Sequence, residues 1–125
     1  TLDIEIEHTI NQACMTFAVM GVEVEVDIET GQTRVLRLIQ AVDLGKAVNP
    51  RQCQGQIIGG TVMALGYALT EELKWNEQGT IENPSFRHYR ILTAADIPPM
   101  ETILVEASEG DGPYGAKGIG EVALN

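Results

Sequence analysis

Alternating side chains near the start of the chain constrain its fold more than any other feature. Valine or isoleucine occupies positions 22, 24, 26 and 28, and an acidic residue follows each of them. A period of two places the apolar side chains on one face of a strand. Thr30-Gly31-Gln32 supplies a turn, and a second apolar run follows from Arg34 to Val42. Because so short a turn leaves no room for a crossover, the pattern predicts an antiparallel β-hairpin over residues 17–43.

A long helix is predicted after the hairpin. Asn49 is a favourable N-cap, and Pro50 suits the first helical position because its missing N–H would have no partner there. The helix is expected to run to about Lys74. Its buried face is predicted from apolar residues at three- and four-residue spacing, which are Ile58, Val62, Leu65 and Leu69.

Glycines interrupt this helix at positions 55, 59, 60 and 66. Each costs about 1 kcal/mol relative to alanine in a helix interior, so something is expected to pack very close to them, either a sheet or a ligand. Gln56 lies beside them, and its amide could donate to and accept from a polar heterocycle. A glutamine exposed to solvent is the equally good alternative.

The rest of the chain completes an α+β fold. Residues 82–98 contain prolines and are predicted to be irregular, and Thr102 to Ala107 is predicted to be a short strand. The element order predicts an antiparallel sheet, with the β-hairpin packed on one long helix. At 125 residues and without an initiator Met, the chain is expected to be a piece of a longer protein.

Charge and cysteine content argue against several classes of function. The net charge is −10 and there is no basic stripe, which disfavours a nucleic-acid partner. No apolar run is long enough to span a membrane, and the N-terminus does not resemble a signal peptide. Cys14 and Cys53 form no Cys-x-x-Cys pair, so neither a zinc site nor a four-cysteine cluster is expected. Two thiols in a reducing cytoplasm are favoured, and a disulfide remains open.

The segment 110–121 carries five glycines and ends on the carboxylate of Glu121. Gly110, Gly112 and Gly115 match G-x-G-x-x-G, but Pro113 and the later glycines prevent the helix that a dinucleotide-binding fold needs there. A Walker-type phosphate loop would need Ser or Thr after its lysine, and here a glycine follows. A nest of backbone N–H groups around an anion and a mobile surface loop both remain open.

Glu121 at the end of that segment could be a general base in a glycine-lined pocket, or an exposed acid at the start of a helix. Titratable side chains elsewhere are weaker candidates for catalysis. His88 has no companion histidine or cysteine at ligand spacing and is predicted to be structural. Asp43 and Lys46 are expected to form a turn rather than a catalytic pair.

Three segments together resemble one known family. They are Asp43-Leu-Gly-Lys-Ala-Val-Asn-Pro50, Gln54-Gly-Gln-Ile-Ile-Gly-Gly60 and Gly112-Pro-Tyr-Gly-Ala-Lys-Gly-Ile-Gly-Glu121. In this order they resemble the C-terminal part of the molybdenum-binding subunit of the xanthine dehydrogenase and aldehyde oxidase family, the molybdenum hydroxylases. The resemblance implies that residues 1–125 are an incomplete part of a larger molybdopterin-binding domain, whose remainder lies upstream or on another chain. Val122 stands where many members have proline.

The resemblance also implies roles for individual residues. Glu121 would be the general base facing the molybdenum centre, and Gln56 would hydrogen-bond the pterin of the cofactor, with Gly59 and Gly60 beside it. No residue of this chain would be a metal ligand. Backbone next to the metal would come from Ala116, Lys117, Gly118, Ile119 and Gly120.

The implied activity is hydroxylation of an aldehyde or an N-heterocycle such as a purine, with oxygen from water, in the cytoplasm. The cofactor would be of the molybdopterin type, with or without a cytosine dinucleotide extension, and iron–sulfur clusters and FAD would lie on other domains or subunits. The partners would be the rest of the subunit and a small-molecule substrate, which this sequence does not name. The isolated piece is expected to be inactive. A non-catalytic assembly segment and a nucleotide-binding module that uses the glycine-rich loop are the alternatives.

Overall fold

A computed structural model of the protein describes residues 3–7, 15–107 and 112–124. Within these ranges the chain forms one three-stranded sheet, one α-helix and two short 3-10 turns. The elements are β1 (Phe17–Val26), β2 (Thr33–Asp43), α1 (Pro50–Leu69), β3 (Met100–Val105) and the turns Pro113–Gly115 and Val122–Leu124. Gly110 and Asp111 of the glycine-rich segment, and Cys14, lie outside the described residues.

The predicted β-hairpin is confirmed, but its alternating apolar face is not buried as predicted, since Val22, Val24 and Val26 are 46%, 50% and 51% exposed. β1 and β2 pair antiparallel, with Phe17 opposite Asp43 and Val26 opposite Thr33. Gly31 turns the chain with a φ of 73°, a backbone conformation that glycine adopts without steric cost. The Asp27 carboxylate accepts hydrogen bonds from the backbone N–H groups of the turn, which closes the hairpin tip.

The third strand corrects the predicted antiparallel sheet. β3 pairs parallel to β2, with Leu38 opposite Met100 and Asp43 opposite Val105, so the sheet is mixed and its order is β1-β2-β3. The strand also begins and ends two residues earlier than the predicted span of 102–107. Helix α1 and the irregular segment after it carry the chain back to the starting end of β2, which is the kind of crossover that a parallel pair requires.

Helix α1 begins as predicted and ends earlier. The Asn49 side chain accepts a hydrogen bond from the Gln52 N–H at 3.2 Å, and Pro50 occupies the first turn. The helix stops at Leu69 rather than near Lys74. Its last turn closes where the backbone N–H groups of Thr70 and Glu71 both donate to the Gly66 carbonyl, at 2.9 and 2.8 Å. Two hydrogen bonds converging on one carbonyl form a helix-ending arrangement that propensity alone does not reveal.

The buried face of α1 differs from the predicted one. Ile58 and Leu69 are 40% and 45% exposed, whereas the buried positions of the helix are Ile57, Gly60, Thr61, Leu65 and Gly66. The helix is rotated relative to the prediction, so that Ile57, Gly60 and Thr61 face the rest of the chain together with Leu65, the one predicted position that is buried. Ile57 joins the buried cluster formed by Val42, Leu44, Ala47 and Ala123.

The expected close approach at the helix glycines occurs at Gly60. A Cβ added there would lie 2.9 Å from the Cβ of Ala123, in the turn Val122–Leu124. At Gly66 it would meet the Glu71 carboxylate, and at Gly55 and Gly59 it would meet nothing within 4 Å. Gly60 therefore brings the C-terminal segment against α1, while Gly55 and Gly59 leave bare backbone facing open space.

Residues 70–99 form neither helix nor strand, which agrees with the irregular structure predicted for residues 82–98. Side-chain hydrogen bonds organise this segment. Buried Asn83 accepts from the Lys74 N–H at 2.9 Å and donates to the Glu72 carbonyl at 2.6 Å. The Tyr89 hydroxyl donates to the Glu71 carboxylate at 2.6 Å, and this bond raises the pKa of Tyr89 to about 12. His88 lies 3.3 Å from the Ser85 hydroxyl in the same segment. No helix in the described part of the chain is long and apolar enough to cross a membrane.

Gly60→Ala is expected to destabilise the full-length subunit that contains this chain by about 1–3 kcal/mol, because the added methyl group would overlap that of Ala123 in a packed core. Thermal denaturation of the purified subunit measures the loss. Adding Ala123→Gly should recover part of it, since the opposing methyl group is then gone. An equal loss in the single and double variants would show that these two groups do not meet.

Candidate cofactor-binding site

The described part of the glycine-rich loop is joined to the connection between β2 and α1. The Lys46 N–H donates to the Gly115 carbonyl at 2.8 Å, and the Lys117 N–H donates to the Leu44 carbonyl at 2.9 Å. Between these bonds lies an antiparallel bridge from Gly45 to Ala116. Gly45 has a φ of 63°, and a Cβ there would collide with the Gly115 carbonyl. The loop is therefore joined to the β2–α1 connection by one antiparallel bridge with a backbone hydrogen bond on each side.

A buried ion pair fastens the same two segments. The Lys117 ammonium lies 2.5 Å from the Asp43 carboxylate, and the two side chains are 6% and 15% exposed. The hydrogen bond from Lys117, and a second one from the Gly45 N–H, hold the pKa of Asp43 below its usual value. A lowered pKa means that the pair stabilises the folded state above the ordinary carboxyl range, and that this stabilisation is lost as the pH falls through the lowered pKa.

Lys46 pairs elsewhere. Its ammonium lies 3.2 Å from the Glu106 carboxylate, which also accepts a hydrogen bond from the Ala47 N–H at 2.8 Å. The backbone bond from Ala47 and then the Lys46 side chain lower the pKa of Glu106. Asp43 and Lys46 thus lie at the predicted turn, and each reaches a different partner distant in sequence.

Gln56 and the segment before Glu121 are brought together. The Gln56 Nε2 donates to the Gly120 carbonyl at 2.5 Å, and the Thr16 hydroxyl donates to the Gly118 carbonyl at 2.8 Å. Gln56 and Gly60 are four residues apart on one face of α1, so the contact of Gly60 with Ala123 and the bond of Gln56 to Gly120 belong to the same interface. A glutamine amide has two N–H donors and one acceptor, so the bond to Gly120 uses one donor.

Side chains alternate in and out along residues 117–120. Lys117 and Ile119 are partly buried, whereas Gly118 and Gly120 are exposed, and a Cβ at either glycine would meet nothing within 4 Å. The segment therefore has an anchored inner side and a bare outer side. Ile119 packs against the buried cluster. Glu121 is exposed at the end of the bare side.

The Gln56–Gly120 hydrogen bond joins two elements that each expose backbone without a side chain. These positions are Gly55 and Gly59 on α1 and Gly118 and Gly120 on the loop. This arrangement fits a flat polar group that approaches backbone closely while an amide and a carboxylate face it. Of the predicted contacts, Gln56, Gly59, Gly118, Gly120 and Glu121 lie on exposed surface.

The remaining predicted contacts point inward. Gly60 packs on Ala123, and the side chains of Ala116, Lys117 and Ile119 are partly buried, so these residues would offer backbone rather than side chains. His88 lies in the irregular segment and bonds locally. Over residues 3–7, 15–107 and 112–124, no group of three or more His, Cys, Asp or Glu side chains is placed to hold a metal ion. Cys53 is a free, partly buried thiol.

Sequence reasoning missed the Asp43–Lys117 pair and the Thr16 hydroxyl. The partners are separated by 74 residues in one case and 102 in the other, so no local pattern links them. Asp43 and Lys117 each lie within the motifs noted above, yet nothing in their spacing indicates that the two side chains meet.

Comparison of the sequence with models of known protein families identifies the family of this chain. The model of the molybdopterin cofactor-binding domain matches residues 3–98. The chain belongs to this family. Its curated relatives include molybdenum-binding subunits of xanthine dehydrogenases and aldehyde oxidoreductases, so the resemblance seen in the three sequence motifs is confirmed.

Individual relatives are similar to this chain over most of its length. It is 37% identical to the 6-hydroxypseudooxynicotine dehydrogenase complex subunit gamma of Paenarthrobacter nicotinovorans, covering 86% of this chain and 14% of that protein. It is also 37% identical to the aldehyde oxidoreductase molybdenum-binding subunit of Escherichia coli, covering 87% of this chain and 15% of that protein. The solved CO dehydrogenase from Oligotropha carboxidovorans superposes with a TM-score of 0.81 at 31% identity, covering 87% of this chain and 14% of that one. The chain thus spans about one seventh of the length of these proteins.

Gln56→Ala is expected to speed amide hydrogen exchange in residues 117–124 about fivefold, the effect of losing a hydrogen bond worth about 1 kcal/mol. Exchange measured by mass spectrometry on the full-length subunit gives the result. Gln54→Ala is the matched control, because Gln54 is an exposed glutamine on another side of the same helix. Equal exchange in the two variants would contradict the tether between Gln56 and Gly120.

Proposed function

We propose that this chain presents a general base, Glu121, and a pterin-binding amide, Gln56, to a molybdopterin-type cofactor in a molybdenum hydroxylase. The observation that carries the proposal is the hydrogen bond between the Gln56 amide and the Gly120 carbonyl, which joins two glycine-bare backbone surfaces directly beside Glu121. Membership of the molybdopterin-binding family supports the identity of the group that these surfaces would face.

The reaction would be oxidation of an aldehyde or a purine-like N-heterocycle with oxygen from water. When bound, the cofactor supplies a redox metal that takes up the electron pair released by the substrate. Glu121 would accept the proton of the attacking oxygen, since a carboxylate without a bulky neighbour can approach that oxygen from the bare side of the loop. Gly118 and Gly120 keep that side clear of side chains.

Gln56 would have two tasks. One N–H holds the Gly120 carbonyl, and the remaining N–H and the amide oxygen can pair with the polar edge of a pterin. Gly59 and the exposed backbone of residues 118–120 would allow close approach. Residues 116 and 117 would contribute backbone only, because their side chains are turned inward.

The names of the relatives support the proposed substrate and partners. Relatives named xanthine dehydrogenase and aldehyde oxidoreductase favour a purine or an aldehyde as the small-molecule substrate. The short span of this chain within those proteins implies that the remaining cofactor contacts come from the rest of the subunit. We place iron–sulfur clusters and FAD on other domains or subunits, a cytosine dinucleotide as one form of the cofactor, and the complex in the cytoplasm.

Elemental analysis of the full-length native protein, purified from cells supplied with molybdate, should give about one molybdenum per catalytic unit when the family's cofactor is bound. Screening with aldehydes and N-heterocycles and an artificial electron acceptor would then identify the substrate. Absence of molybdenum would contradict the proposal and leave a non-catalytic assembly segment, or a nucleotide-binding module, to be tested by nucleotide binding.

Glu121→Gln in the complete enzyme is expected to leave molybdenum content unchanged and to lower kcat about 10²–10⁴-fold, the usual contribution of a general base. The amide keeps the size of the side chain and removes its ability to take a proton. Glu77→Gln is the matched control, since Glu77 lies in an exposed turn far along the chain from the site. Turnover retained in Glu121→Gln, with a normal fold, would overturn the role of Glu121.

A further inference from the structure

The segment Gly118–Glu121, called the arm below, directly follows Lys117, whose side chain is buried. Four positions separate Glu121 from Lys117, and two of the intervening residues are glycines, which leave the backbone loose. The hydrogen bonds that reach this arm from Thr16 and Gln56 are both exposed to solvent. The Lys117 ammonium, by contrast, is 6% exposed and lies 2.5 Å from the Asp43 carboxylate at the end of β2.

We propose that the buried Asp43–Lys117 ion pair is the positioning device for the general base, holding the Gly118–Glu121 arm in register with the end of β2. This inference rests on the proposed role of Glu121. The side chains of Asp43 and Lys117 pair with each other rather than with substrate or cofactor, and they act through the backbone that they anchor.

The physical argument concerns what happens when one partner is lost. A lysine ammonium is almost never fully buried without a partner, because the interior solvates it poorly. Without Asp43, the Lys117 ammonium loses this carboxylate, and a conformation in which the ammonium is better hydrated becomes more favourable. A shift of the backbone at residue 117 toward such a conformation would weaken the bond from the Lys117 N–H to the Leu44 carbonyl and displace the arm. Displacement of a catalytic group by about 1 Å can cost about 10²-fold in rate.

The backbone bridge alone does not fix the arm in the same way. The bonds at Lys46 and Lys117 set the register of the loop on the β2–α1 connection through backbone atoms alone. The side-chain pair adds a separate connection, from the Lys117 ammonium to Asp43 at the end of β2. Ile119, which packs on the buried cluster, continues that inner side.

The test compares Asp43→Asn and Lys117→Met in the complete enzyme. Each is expected to speed hydrogen exchange in residues 116–124 about tenfold or more, since a charged hydrogen bond is lost. Each should lower kcat about 10²-fold while KM stays within about threefold and molybdenum content is kept. Lys117→Arg, which keeps the charge, should lose less exchange protection and less kcat than Lys117→Met.

A second ion pair on β2 provides the matched control. Arg37 and Glu101 join β2 to β3 at 2.9 Å and are each 54% exposed. Arg37→Met and Glu101→Gln should change neither kcat nor exchange in residues 116–124, because exposed pairs contribute little. Their effects therefore show how much of any change comes from removing an ion pair in general.

The outcomes separate the positioning role from the others. Unchanged exchange in residues 116–124 in both single variants would overturn the inference. Faster exchange with unchanged kcat would overturn it too, as would loss of molybdenum together with faster exchange throughout the chain, which marks a merely structural pair. If Glu121→Gln retains turnover, the proposed function fails, and the exchange measurement still reports whether the pair holds the arm.

Discussion

Close contact between the C-terminal segment and α1 at Gly60 is the constraint on which the rest of the arrangement depends. A side chain at this position would push Ala123 away from the helix. Ala123 in turn completes the buried cluster with Val42 of the sheet and Ile57 of the helix. With the segment held there, Gln56, one helical turn before Gly60, reaches the Gly120 carbonyl. The absence of a side chain at Gly60 thus allows the residues on both sides of Glu121 to lie against α1.

Local patterns predicted the elements whose causes are local. The hairpin follows from alternation and from a turn that Gly31 makes possible, and the start of α1 follows from the side chain of Asn49 and the ring of Pro50. The end of α1 did not follow, because it depends on two N–H groups that converge on Gly66. The rotated buried face did not follow either, since it depends on the contact of Gly60 with Ala123, which local spacing does not reveal.

Long-range features could not be predicted from the sequence in the same way. Parallel pairing of β3 with β2 depends on the path of the segment between α1 and β3, whose turns are set by buried Asn83 and by other side-chain bonds. The Asp43–Lys117 pair joins two motifs that are each visible in the sequence, but their contact is a property of the fold. Both motifs were identified through the resemblance to a family. The roles that this resemblance implies for Gln56 and Glu121 stay predictions.

Gly118 and Gly120 form the outer side of a segment whose alternate residues face inward. Lys117 and Ile119 are held on the inner side by charge and by packing, so positions 118 and 120 lie on the outer side. At those outward positions any side chain would stand between the backbone and whatever approaches it, and both are glycine. A simple flexible loop would need neither the alternation nor a buried ammonium. The pattern is that of a segment anchored on one side and bare on the other, and such a segment can carry a carboxylate at its end without crowding the group that approaches it.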